Sequence, residues 1–397
     1  MAGTQLNALA FGQADTPDKN NIIIHIFLRG GCDALQLIAP VADRFYQDAR
    51  AEGLKIKDSG NNKGINIANG LNKLPFALHG NAGGLAELYA SGKLAIVHAC
   101  GISNGTRSHF EAQDLMDLGI ASRSAQSQGW LSRYVDALGE TNALIPAAHL
   151  GDILPLSFSG SNKALALNSV ADFNLKGDAR LAGLIAQSYK QEKGILGEVG
   201  RATLAALATV KARLGENKKG DYQPKNGANY PNDNPLADNL RALAQIIKLD
   251  TGLRAASVDF GGWDTHDEQS WRFPRLVEKL SQAIAAFYND MADYQQRLTV
   301  VVMSEFGRRL KSNKSNGTDH GHGGMALVLG GRVNGGKMYG SWLGLDTELL
   351  DHRVDLQVTT DYRAILAELL SPNLVQAANG LSIFPNFVPP KALGLLR

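Results

Sequence analysis

The sequence is short of cysteine, of net charge and of long apolar runs, and each shortage narrows what the chain can be. Its two cysteines, Cys32 and Cys100, allow at most one disulfide. Both follow apolar runs and read as buried free thiols, a bridge requiring closely spaced Cα atoms. A formal charge of +2, from 40 basic and 38 acidic side chains, leaves no electrostatic footprint for nucleic acid. No stretch stays apolar for the length of a membrane span. Residues 1–20 lack the apolar core of a secretory signal. That start is either a cytosolic terminus or that of an exported chain whose signal has been removed and a Met added. Internal repeats, heptad arrays and long low-complexity tracts are missing as well.

What is present is glycine, 43 residues of it, which fits many tight loops around a sheet. Short β-branched runs ending in turn residues read as buried strands. Residues 21–28, 94–97, 254–260 and 299–303 are such runs. Residues 145–170 alternate short apolar runs with Gly, Ser and Pro and read as strands or a hairpin. Between them lie helical patterns at 39–53, 82–91, 111–118, 180–216, 236–249, 273–295 and 361–370. Strands alternating with helices predict an α/β fold around a mostly parallel sheet. One domain spans 1–397, and residues 171–250 form a helical insertion or cap within it.

In an open parallel sheet, ligands sit beyond the carboxyl ends of the strands. Four predicted strand exits carry polar groups. The first delivers Arg29-Gly30-Gly31-Cys32-Asp33. The second leads into a loop with Thr106, Arg107 and Ser108 before a helix, a layout that offers hydroxyls and N–H groups to an anion. Ser108 also sits three residues before Glu111, in capping-box spacing. The third brings Asp264 and His266. The fourth brings Glu305, then a glycine-rich loop with Asp319, His320 and His322. Imidazole and carboxylate together suit zinc or a similar divalent ion. Arg308, Arg309 and Lys311 read as a solvated basic loop entrance. His25 reads as a core histidine. A redox grouping of Cys32, His98 and Cys100 has less behind it than a structural thiol pair.

Five segments carry a resemblance: Arg-Gly-Gly-Cys-Asp-Ala-Leu at 29–35, Ser-His-Phe-Glu-Ala-Gln-Asp at 108–114, Gly-Gly-Trp-Asp-Thr-His at 261–266, Ser-Glu-Phe-Gly-Arg-Arg at 304–309 and Asp-His-Gly-His-Gly-Gly at 319–324. In this order they resemble the domain-of-unknown-function 1501 family, which is similar to the alkaline phosphatase and sulfatase superfamily. The resemblance implies a three-layer alkaline-phosphatase-like α/β fold, a central mostly parallel sheet with helices on both faces. It also implies twin-arginine export, hence a periplasmic or secreted protein. Laid on this chain, the superfamily pattern puts a metal acid at Asp33 and a nucleophile at Thr106 or Ser108. It puts a metal pair at Asp264 and His266, and a final metal histidine at His322 or His320. Glu305-Phe306-Gly307 falls where the superfamily has Asp-His-Gly, and Phe306 cannot ligate. One ion is therefore expected rather than two, whether zinc, calcium or manganese.

The function expected is metal-assisted hydrolysis of a phosphate or sulfate ester, small or polymeric. The ion would sit among Asp33, Asp264, His266, Glu305, His320 and His322. Ser108 or Thr106 would serve as nucleophile, and Arg29 or Arg107 would grip the anionic ester. The alternative is an exported binding protein without catalysis, in which Trp263 and Phe110 wall an apolar site.

Overall fold

Alternate residues of the first strand face two different cores. In the computed structural model, which describes residues 21–139, 143–170, 179–214, 222–373 and 383–397, β1 is Ile22–Leu28 and is buried along its whole length. Ile22, Ile24, Ile26 and Leu28 join one apolar cluster, Ile23 and Phe27 the other. A strand covered on both faces needs a continuous apolar run, and this sequence supplies it. His25 is a core histidine, as expected, and burial drives its pKa down to about 3, so it is neutral.

The remaining strands are β2 (Ile38–Ala39), β3 (Ile65–Ile67), β4 (Phe76–Leu78), β5 (Leu94–Gly101), β6 (Ala147–Leu150), β7 (Ala164–Leu167), β8 (Ala255–Phe260), β9 (Leu298–Ser304), β10 (Gly324–Gly330), β11 (Met338–Tyr339) and β12 (Thr360–Asp361). The central sheet runs β11-β5-β10-β9-β1-β8-β6-β7, with β12 also on β5; β2, β4 and β3 form a small antiparallel sheet. Central neighbours are parallel except around β10, which is antiparallel to both β5 and β9. The cause is local. The loop between β9 and β10 holds no crossover helix, and without one a chain can return only antiparallel.

The helices are α1 (Ala34–Leu37), α2 (Arg44–Ala49), α3 (Gly83–Ala90), α4 (His109–Leu118), α5 (Trp130–Ala137), α6 (Ala179–Gln191), α7 (Ile195–Leu214), α8 (Pro235–Lys248), α9 (Gln269–Asp290) and α10 (Tyr362–Leu370). Helices α3, α8 and α9 bury their apolar faces with the β1 side of Ile24. Helices α4, α5 and α10 cover the opposite face, with Phe27. This is the three-layer α/β arrangement expected, with a mostly parallel sheet between two helical layers.

Several details differ from the sequence reading. Residues 39–53 hold only the short α2, because Pro40 disfavours helix at Ala39 and Asp43 caps the helix start. Strands β6 and β7 are parallel, joined through a 3₁₀ turn at Leu156–Phe158, and are not a hairpin. Within 171–250, α6 and α7 pack on each other, while α8 lies against α9 and β8. Residues 171–178 and 215–221 of that stretch, like 1–20, lie outside the described residues. Both cysteines are free and buried, and burial raises both thiol pKa values. His98 Nε2 donates to the Ile38 carbonyl and the ring packs edge-on to Trp342, so it belongs to the core and not to a thiol cluster. No helix among the described residues is long and apolar enough to cross a membrane.

Register aligns the exits. Leu28 pairs with Phe260 of β8 and Ser304 of β9, so β1, β8 and β9 end level. Gly324, where β10 begins, pairs with Cys100 near the end of β5. The segments after residues 28, 101, 260 and 304 therefore meet on one edge of the sheet.

Candidate metal centre

Three imidazoles and one carboxylate meet where these exits converge. The Nε2 atoms of His266, His320 and His109 lie 3.1, 3.2 and 3.4 Å from Asp264 Oδ1. His266 and His320 approach each other at 2.8 Å, Nε2 to Nε2. His109, Asp264 and His320 form a group whose donor atoms all lie within 4.8 Å of one another. Zinc bonds of about 2.0–2.1 Å at tetrahedral angles would set donors roughly 3.3 Å apart.

Two of the imidazoles are held from behind by a hydrogen bond at the other nitrogen, and the third faces a carboxylate there. His109 Nδ1 lies 2.8 Å from Glu305 Oε1, and His320 Nδ1 lies 2.8 Å from the Arg107 carbonyl. His266 Nδ1 faces Asp319 Oδ1 at 3.5 Å. An acceptor at Nδ1 places the ring proton there and leaves the Nε2 lone pair for a cation, the arrangement that metal-ligating histidines share. The buried Nε2 of His109 makes no hydrogen bond, which leaves its lone pair available to a cation. Asp264 is half-exposed; burial would raise its pKa, but the Arg308 guanidinium outweighs that and holds it at about 2. The His109 hydrogen bond to Glu305 raises the His109 pKa, while burial lowers that of His320.

Glu305 acts one step behind the ring. It is buried, and its Oε1 accepts from His109, from Gln113 Nε2 at 2.8 Å and from Gly30 N at 2.8 Å. Burial alone would raise its pKa, yet these donors, His109 first, hold it low. His109 and Gln113 lie one helical turn apart on α4, so one face of the helix presents both to the same oxygen. The rings of His109 and His320 rest on the buried Phe306, at 4.8 and 4.9 Å between centroids. Phe306, which cannot ligate, is the floor of the cluster.

Arg308, expected in a solvated loop entrance, has a fully buried side chain. Extended backbone alternates its side chains, so Arg308 turns inward as Arg309 turns out. Its guanidinium donates to the carbonyls of Gly30, Gly31, Trp263 and Thr318 and to Asp264 Oδ1 at 2.6 Å. One fork thus ties the β1, β8 and β9 exits together. The glycines permit that approach. A Cβ on Gly30 would lie 2.4 Å from Asp264 N, and one on Gly31 would lie 2.5 Å from the Phe306 ring; both have positive φ.

Other expected site residues lie at the same edge but have their polar atoms engaged. Asp33 is buried in a two-pronged ion pair with Arg50, and it also accepts from Gln269 and Gln36. His322 has oxygen at both nitrogens, Asp351 Oδ2 and the Ile102 carbonyl, each at 2.8 Å. Arg29 pairs with Asp117 and Asp259, and Arg107 with Asp355. The Thr106 hydroxyl donates to Glu111 at 2.7 Å. The capping box expected for Ser108 is therefore not formed, and the Ser108 side chain makes no cap bond. Trp263 is core, against Phe260 and Phe273, while Phe110 is 86% exposed. The sequence reading missed His109, Gln113 and Arg308 as site residues. The signal available for the first two was their four-residue spacing at the start of the helix after the second exit.

The chain belongs to the family described as Protein of unknown function (DUF1501), whose pattern matches residues 106–367. The matched stretch contains all four residues of the cluster. No curated protein matches the chain by sequence. Among solved structures, a protein in the alkaline phosphatase superfamily from Vibrio parahaemolyticus aligns at 10% identity and a TM-score of 0.33, over 94% of this chain and 71% of that one. An alkaline phosphatase from the Antarctic bacterium TAB5 aligns at 11% identity and a TM-score of 0.30, over 80% and 92%.

Proposed function

We propose that the protein is a metal-dependent hydrolase of phosphate or sulfate esters, with one divalent ion held by His109, Asp264 and His320 and with His266 beside them. The observation that carries this reading is the convergence of three Nε2 atoms on one carboxylate oxygen, with the His109 and His320 rings hydrogen-bonded at Nδ1 and His266 Nδ1 facing Asp319. A bound divalent ion supplies Lewis-acid polarisation of an ester oxygen and acidifies water. The chain's own residues set the stage for that. Glu305 and the Arg107 carbonyl fix the ring orientations. Arg308 keeps Asp264 ionised and in place. Ser108, exposed and next to His109, is the candidate nucleophile or anion ligand. Small or polymeric anionic esters are the proposed substrates, with no nucleic-acid partner. Twin-arginine export belongs to the same proposal and rests on the family resemblance; fractionation of cells expressing the full gene tests it.

A second reading, a binding protein without catalysis, draws on Arg29 and Arg107 being already paired with acids. One experiment separates the two: elemental analysis of purified protein, with turnover of aryl phosphate and aryl sulfate esters across a divalent-ion panel. Near-stoichiometric metal with turnover that is lost in His109→Ala supports the hydrolase. Metal without turnover supports the binding protein. Absence of both removes the metal-dependent reading.

A further inference from the structure

The cluster has a cationic neighbour. A cleft of about 290 Å³ opens beside it, lined by Arg309, Lys311, Asp319, Leu310, Leu350 and Val354 among others. Its link to the imidazoles is Asp319, which lines the cleft and faces His266. One imidazole width therefore separates cleft from cluster. Its walls are tied by backbone bonds, Leu310 N to the Val354 carbonyl and Ser312 N to the Ala49 carbonyl, so its shape is already set.

The charges in it are unevenly spent. Arg353 pairs with Glu348 at 2.6 Å. Arg309 Nε has no hydrogen-bond partner and stands 3.9 Å from Asp355 Oδ1, beyond hydrogen-bond reach. Arg107 engages only Oδ2 of Asp355, so the buried Arg309 Nε and Asp355 Oδ1 face each other as a loose ion pair, which leaves the terminal nitrogens of Arg309 for a guest. Lys311 is exposed and makes no ion pair among the described residues. A guanidinium and an ammonium with donors to spare, in a cleft also lined by Leu310, Leu350 and Val354, suit one kind of guest: an anionic group on an apolar body.

We propose that the cleft between Arg309 and Lys311 is a subsite for a second anionic group of the substrate, so that the preferred ester carries a further phosphate, sulfate or carboxylate. This rests on the hydrolase reading for the word substrate, but not for binding itself. The test is therefore run without metal. Phenylphosphonate, a non-hydrolysable dianion on an aromatic body, is titrated into chelator-treated protein by calorimetry, with inorganic phosphate as the second probe. Expected are saturable binding that weakens with salt, a loss of roughly tenfold or more in Arg309→Gln/Lys311→Gln, and little change in His109→Ala. Inorganic phosphate binds more weakly, because it lacks the apolar body. The proposal is overturned if phenylphosphonate does not bind. It is also overturned if the double variant, shown folded by an unchanged melting temperature, binds like wild type, or if both probes bind alike. Loss of the metal-dependent reading would leave these results standing.

Discussion

In the proposed metal centre His109 is a ligand, and its hydrogen bond to Glu305 orients it. Removing the ligand and removing its support have different expected sizes. His109→Ala abolishes metal retention, whereas Glu305→Gln keeps an acceptor without the charge and weakens metal affinity by roughly 10–100-fold. Equilibrium titration with zinc against a competing chelator reads both. Asp33 makes a separate prediction, because its partner is Arg50 and not an imidazole. Burial would raise its pKa, but the Arg50 charge outweighs that and lowers it. A depressed carboxyl pKa means that its contribution is full above the unfolded value of about 3.9 and drains away as pH falls through the folded one. Asp33→Asn leaves Arg50 buried and unpaired, at a cost of about 3–5 kcal/mol near neutral pH. Thermal melts of the two proteins should lie well apart at pH 7 and draw together on acidification.

At the scale of elements, the exits decide the site. Gly30 and Gly31 end β1 in backbone conformations that side chains resist, and both are crowded by the neighbouring exits. Gly31→Ala drives a methyl into the Phe306 ring and should destabilise by about 1–3 kcal/mol. Because Phe306 floors His109 and His320, that variant should also lose metal affinity, measured by the same titration. Arg308→Lys keeps the charge but not the fork that reaches four carbonyls, so it too should release Asp264 and reduce zinc retention.

These elements also show what the sequence could reveal. β1, β8 and β9 were legible because both of their faces are buried, which demands an unbroken apolar run. Asp264 and His266 were legible because they closely follow such a run, and His320 because it lies in a glycine-rich loop after another. His109 was hidden among cap-like residues, since Ser108 and Glu111 have capping spacing whether or not they cap. Arg308 and Arg309 look alike in sequence; only the isolated pairing of Arg308 with His320 decides which one turns inward. The antiparallel direction of β10 was not read, although the missing crossover helix before it was the available signal, and its pairing with β5 depends on tertiary packing.

For the whole molecule, the sheet brings together groups that the chain separates widely. His109 and Asp264 stand 155 positions apart by their numbering, yet both belong to one edge because β5 and β8 end there. The fold's layers explain the placement, and the proposal that a cation sits among the imidazoles rests on their anchoring. Crystals grown with zinc, with anomalous diffraction recorded on both sides of the zinc edge, test that claim directly. An anomalous peak bounded by His109 Nε2, His320 Nε2 and the Asp264 carboxylate is the predicted result. A well-ordered cluster with no peak, or a peak on His322 or Asp33 instead, would contradict it.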